Sequence, residues 1–273
     1  MLKINSSKFL LFGLSTFLLL IMVACDNKNT KPGEVVDPWD NTVYHVIRIG
    51  EQVWMTDNFQ RTMTNKHGKI PNVTDAAEWA ALTTPAYCDY DNDPANSSKY
   101  GRLYNWAALT QGNLIPFTDD DGAEWVVPTE DDLRVLKSYL LRKGFNFDGD
   151  TTTNNIKDTI AYKFAKSIAG SVYWATDSTL GVVGNDLSKN NRTGLNILPG
   201  GYRDENGEFK DITLKAKFWS AGKPNPGFWN INQIDNATAH SREMNFDKSS
   251  FDSIPQSQRR GLSVRLIRSY KRW

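Results

Sequence analysis

The chain has 273 residues, 40% of them hydrophobic and 12% aromatic, enough apolar material for one sizeable core or two small ones. A formal net charge of +1 excludes a strongly basic nucleic-acid surface and an acidic shell alike. Nine Trp, ten Tyr and thirteen Phe suit half-buried pleated surfaces and binding faces, and two cysteines exclude a disulfide framework.

Residues 1–24 read as a signal peptide. Lys3 and Lys8 make a positive start, and Phe9 to Val23 is an apolar run short of the ~20 residues a spanning helix needs. It ends Met22-Val-Ala-Cys25, which resembles the lipobox of bacterial lipoproteins with Met22 in place of the usual Leu. The resemblance implies cleavage before Cys25, acylation (palmitate) of that residue, and attachment to a bacterial outer membrane, each buried CH₂ contributing ~0.8 kcal/mol. Cys88 is then the remaining thiol, so the mature domain holds no internal disulfide. Residues 25–41 are polar and carry Pro32, Gly33 and Pro38, a tether.

Residues 42–273 read as one domain without internal repeats. Val43–Ile49 and Gln52–Met55 flank a Gly50-Glu51 turn and predict a hairpin. Asp75–Leu82 predicts a short helix capped by Thr74 or Asp75. Tyr100–Leu109 opens as aromatic loop and ends as a helix with Leu103, Trp106 and Leu109 on one side. The clearest signal is Trp125–Gly144: a short strand, a stop at Pro128, then a helix with both ends written in. Thr129 and Asp132 form an acidic capping box, Glu130, Asp131 and Asp132 suit the positive end of the helix dipole, and Gly144 suits the left-handed stop. Leu133, Leu136 and Leu140, widened by Val135 and Tyr139, predict one buried face. Ile156, Ile160, Phe164 and Ile168 predict a second amphipathic helix over 156–169. Strands and loops follow, ending with Gly261–Arg268, where Leu262, Val264 and Leu266 alternate with Ser263, Arg265 and Ile267.

Six motifs occur in order: Ile49-Gly-Glu-Gln-Val-Trp-Met-Thr-Asp-Asn58, Tyr100-Gly-Arg-Leu-Tyr-Asn-Trp106, Val127-Pro-Thr129, Gly194 to Arg203, Phe218-Trp-Ser220 and Gly261-Leu-Ser-Val-Arg265. Together they resemble the Fibrobacter succinogenes major paralogous domain, a family of secreted and lipid-anchored bacterial proteins grouped with the C-type-lectin-like fold. The resemblance implies an α+β domain: two helices packed on a twisted antiparallel sheet, paired N- and C-terminal strands and long irregular loops. Two departures stand out. Val126 replaces a frequent His, and Leu266 stands where the family often has the Cys that would partner the one matched by Cys88.

The same fold group includes formylglycine-generating sulfatase modifiers, so a metal-dependent enzyme of that type is one alternative function. Their oxidase chemistry needs two cysteines, and Cys88 stands alone; His45, His67 and His240 show no ligand spacing. A structural subunit of a surface appendage is the other alternative. Asp89, Asp91 and Asp93 place oxygens at alternate positions as calcium loops do, yet Pro94 and Tyr100 occupy the places of the turn Gly and closing Glu. No cofactor is therefore expected, calcium at Asp89, Asp91 and Asp93 being the exception to test. Trp54, Trp106 and Trp219 sit in fold motifs and read as core; Arg203 and Arg265 read as loop-fixing residues. The loop Gly222-Lys-Pro-Asn-Pro-Gly-Phe-Trp-Asn-Ile-Asn232 offers Phe228, Trp229 and Asn230 as a binding surface. The expected function is a non-catalytic, lipid-anchored envelope protein that binds a protein or glycan and no nucleic acid.

Overall fold

The computed structural model describes residues 33–66, 68–152, 162–222 and 238–269. Among them the hairpin is present as expected: β2 (Val43–Ile49) pairs with β3 (Gln52–Met55) from Ile49↔Gln52 to Val46↔Met55, and β1 (Glu34–Val36) adds to its outer edge. Later segments extend this sheet. The strand before Pro128, β7 (Glu124–Val126), pairs with β6 (Phe117–Thr118) on one side and β13 (Ile267–Arg268) on the other. Because β13 also pairs with β3, the antiparallel order is β1-β2-β3-β13-β7-β6, which brings late and early strands side by side.

A second, five-stranded sheet has the order β12 (Asp252–Ser257), β11 (Thr238–Asn245), β10 (Lys215–Trp219), β8 (Gly200–Arg203), β9 (Phe209–Ile212). Its ladders are antiparallel except for a single parallel bridge, Ala216↔Gly201, between β10 and β8. A two-stranded ribbon pairs β4 (Tyr87–Cys88) with β5 (Leu103–Tyr104). The chain is therefore mixed α and β with antiparallel sheets.

The helices form where their signals are local. α1 (Ala76–Ala80) is capped by Asp75, whose carboxylate accepts from the Glu78 amide at 2.8 Å. α2 (Pro94–Tyr100) starts at a proline, where a missing N–H costs nothing. α3 (Trp106–Thr110) is capped by Asn105. In α4 (Glu130–Arg142) the Asp132 amide donates to Thr129 Oγ1 at 3.2 Å and the Thr129 amide to Asp132 Oδ2 at 2.9 Å, the reciprocal box. Gly144 closes α4 at φ 69. The face it buries carries Leu133, Leu136, Leu140 and Leu141, each contributing about 2 kcal/mol by removal from water; Val135 and Tyr139 are only half-buried.

Two expectations need correction, besides the tether read over 25–41, whose residues Glu34–Val36 form β1 and whose Val35 and Asp37 are buried in the domain. The helix expected over 156–169 appears within the described residues only as α5 (Ala165–Ile168), and residues 162–164 are not helical. The backbone of Lys163 is spent elsewhere: its amide donates to Asn146 Oδ1 and its carbonyl accepts from the Phe147 amide. Phe164 and Ile168 are nonetheless fully buried, which is the apolar signal that the period detected. Ile156 and Ile160 lie outside the described residues.

The second correction concerns the last strand. Only Ile267–Arg268 forms a ladder, and Leu262, Val264, Leu266, Ser263, Arg265 and Ile267 are all buried. The alternation predicted one strand over 261–268, but these residues run between the sheets and change partner along their length. Gly261 exchanges hydrogen bonds with Arg203, and Leu262 with Tyr104. The Ser263 amide donates to Lys217, and the carbonyls of Val264 and Leu266 accept from Phe59 and Met55. That segment joins the sheets through their backbones. Around it lie one core with Trp106, Trp125 and Trp219, a second beneath α4 with Trp54, Leu136 and Phe218, and a small third with Trp79, Cys88 and Leu103.

Candidate functional site

Cys25, Phe228, Trp229, Asn230 and His67 lie outside the described residues. Of the acidic run, Asp89 is buried, accepts from Ser97 Oγ and lies 3.4 Å from Arg102 Nε. Asp93 caps α2 by accepting from the Ala95 amide at 2.9 Å, and Asp91 is exposed in the left-handed region at φ 55. Asp119, in the other acidic turn, holds the Trp125 indole N–H at 2.9 Å. Among the described residues no group of three or more His, Cys, Asp or Glu side chains is placed to hold a metal ion, so Asp89, Asp91 and Asp93 are not brought together as one set. No helix among them is long and apolar enough to cross a membrane.

The buried charges of the fold are spent on architecture. Arg203 donates to the carbonyls of Val73, Thr74 and Gly207, and Arg265 to Leu195 O and to Asn58 Oδ1, as loop-fixing residues do. Burial without a paired carboxylate pulls the Arg265 guanidinium down to about 10, Asp57 opposing that from a distance. Glu130 accepts from Arg242 and from Ser220 Oγ (3.3 Å), tying the start of α4 to β11 and to the end of β10. Lys137, one face along, is pushed down to about 8 by burial first and then by the Arg242 charge. The void between Trp54, Leu133, Arg242 and Phe251 measures only about 20 Å³, room for one water rather than a substrate.

Cys88 is buried, and burial pushes its thiol up to about 12 against the opposing pull of Arg203. The thiolate is the reactive form, so the native protein is expected to react with an alkylating reagent at pH 8 on the order of 1,000-fold more slowly than the urea-unfolded chain. A timed iodoacetamide labelling followed by mass spectrometry reads this directly; equal rates would mean that the thiol is open to solvent.

Besides an apolar pocket of about 200 Å³ among Trp106, Leu109, Ile115, Val127 and Ala221, two surface features remain. A cleft of about 410 Å³ lies among Phe147, Lys166, Leu180, Asn185, Asn190 and Arg192. Its buried Lys166 ammonium is fully used, donating to Asn185 O, Asp186 O (3.0 Å) and Asn190 Oδ1 (2.8 Å), so it fixes the cleft wall instead of facing a ligand. The other feature is the tip formed by residues 171–173. Val172 is 47% and Tyr173 48% exposed, and Tyr173 sits at φ 70, where a bulky side chain crowds its own backbone. Both flanks are clamped. The Gly170 amide and the Trp174 indole N–H donate to Ile197 O at 2.7 and 3.1 Å, and the Ala175 amide donates to Thr213 O at 2.9 Å. Thr213 is itself at φ 65, a second side chain held where few tolerate it. Strain of this kind costs roughly 1–3 kcal/mol per residue and persists only where neighbours enforce it.

A family model described as the Fibrobacter succinogenes major domain matches residues 47–268. The chain belongs to this family. No curated protein and no solved structure matches the chain. In this major domain the matched span covers every element from within β2 to β13, and both the cleft and the tip lie inside it. Sequence reasoning passed over the tip because Ser171-Val-Tyr-Trp174 shows no strand or helix period. The available signal was an adjacent Val-Tyr pair placed after a Gly-Ser turn, outside every motif of the major domain.

Proposed function

We propose that this major domain is a non-catalytic binding domain of C-type-lectin-like fold, held by a lipid on Cys25 at a bacterial outer membrane, where it engages a protein or glycan. The observation that carries the binding part is Tyr173: a large aromatic side chain left about half exposed by a clamped, strained backbone, with one ring contact to the buried Tyr100. The pairing of β3 with β13, the start of α4 at Thr129 directly after Pro128, and the long irregular stretches around residues 170–200 support the fold reading. The lipobox-like Met22-Val-Ala-Cys25 and the polar sequence between Cys25 and β1 support the anchor.

The test uses the full chain expressed in a bacterial host. Palmitate label and partition into a detergent phase are expected for the wild type, and neither for Cys25→Ser; an unlabelled wild type would remove the anchor. The detergent-solubilised lipoprotein is then applied to a glycan array and to envelope extract. Capture is expected to be lost in Tyr173→Ala and kept when Phe228 and Trp229 are both changed to Ala. The reverse pattern moves binding to that loop, and no capture by the wild type ends the binding reading.

A further inference from the structure

We propose that Tyr173 and Lys99 are the stacking and charged halves of a subsite for an acidic sugar, a uronate or sulfated pyranose. This rests on the binding reading above and names the ligand class. The Tyr173 ring is supported from within the fold: it meets Tyr100 edge-on, with centroids 5.7 Å apart and an interplanar angle of 72°. Tyr100 is buried, and its carbonyl accepts from Asn58 Nδ2, which also anchors the loop carrying Arg265 through Oδ1. The ring thus stands on a fixed base, and its position is set before any ligand arrives.

Lys99 supplies the charge. Its ammonium lies 6.0 Å from the centre of the Tyr173 ring, and among the described residues no carboxylate forms an ion pair with it. An exposed cation over a half-exposed ring suits a ligand that brings an anionic group to the ammonium and an apolar face to the open part of the ring. A pyranose offers C–H bonds on one face, and its carboxylate or sulfate projects from the ring edge. Size separates this from protein docking. A stable protein interface covers ~800 Å² per partner, far beyond what Val172 and Tyr173 present, whereas one sugar ring is matched to one aromatic ring.

The test titrates the detergent-solubilised lipoprotein with galacturonate, glucuronate and sulfated galactose oligosaccharides, and with neutral oligosaccharides of the same lengths. At low salt the acidic series is expected to bind about fivefold tighter, the value of one exposed ion pair, and high salt is expected to erase that advantage. Tyr173→Ala is expected to weaken both series about tenfold or more. Lys99→Met is expected to remove the acidic preference and leave neutral binding in place. Tyr173→Asn, whose side chain tolerates the left-handed backbone, is expected to stay folded and lose binding, which separates loss of the site from loss of the fold. Equal affinity for acidic and neutral sugars, or an acidic preference that survives Lys99→Met, overturns the proposal. Capture of an envelope protein through Tyr173 with no saccharide bound overturns the sugar subsite while the binding domain stands. Capture of neither overturns both.

Discussion

Replacing Arg203 by Ala is expected to lower stability by on the order of 4 kcal/mol, read as a fall in the urea midpoint with an unchanged slope. Arg203 is 1% exposed. Its Nη1 donates to Val73 O at 2.6 Å, Nη2 to Thr74 O and Nε to Gly207 O, both at 2.9 Å, while its guanidinium lies between Trp79 (4.6 Å) and Phe209 (4.8 Å). No carboxylate appears among these contacts, so the charge is balanced by carbonyl dipoles and two ring faces. Deleting the side chain takes the donor from Val73 O and Gly207 O, leaves Thr74 O with Asn92 Nδ2 at 3.2 Å, and opens a hole between two aromatic groups; each loss alone costs roughly 1–3 kcal/mol. Arg203→Lys is expected to recover less than half of the difference, because an ammonium on a flexible stem lacks the planar fork that reaches all three carbonyls and stacks between rings. A lysine variant as stable as the wild type would show that charge alone is what the site requires.

Gly207→Ala is expected to cost about 3 kcal/mol, on a backbone argument instead of a lost interaction. Gly207 sits at φ 87, and a Cβ there would stand 2.4 Å from Ala76 O and 2.6 Å from Ala76 Cα. Those atoms belong to the start of α1 and cannot rotate aside. Gly122 is the control: it has φ 78 and nothing within 4 Å of the place a Cβ would take, so its Ala variant carries only the left-handed penalty of about 1–2 kcal/mol. Equal thermal shifts in the two variants would remove the contact with α1 from the explanation. The two effects share an atom, since the carbonyl of Gly207 receives Arg203 Nε. The double variant Arg203→Ala, Gly207→Ala is therefore expected to cost less than the sum of its parts.

Legibility in the sequence followed the range of each interaction. The hairpin at Gly50-Glu51 and the whole of α4, with Thr129, Asp132, the leucine stripe and Gly144, rest on residues within a few positions of one another, and these were readable. Leu141 replaced Val135 on the buried face because the helix is covered more broadly than a narrow stripe assumes. The pairing of β3 with β13 came from the family resemblance alone and the place of β7 beside β13 was not readable, since both depend on residues about 140 to 210 positions apart in sequence finding one sheet. Alternation read residues 261–268 as one strand because a period of two cannot register a segment that changes partner along its length. Arg203 and Arg265 were readable as loop-fixing residues, while their acceptors were not, because carbonyls leave no mark on side-chain identity. Tyr173 was hidden for a related reason. Its strain comes from clamps onto Ile197 and Thr213, and neither neighbour in the chain carries that information.

Residues 261–268 are the common seam of both sheets, and they come near the end of the order in which a ribosome would deliver these residues. Until that piece emerges, Met55, Phe59, Tyr104 and Arg203 wait with unanswered backbone groups, and each sheet keeps an open border. Completion is thus a late, all-or-none event, and a nascent chain halted before residue 261 stays soft to protease however much of its bulk has already been made.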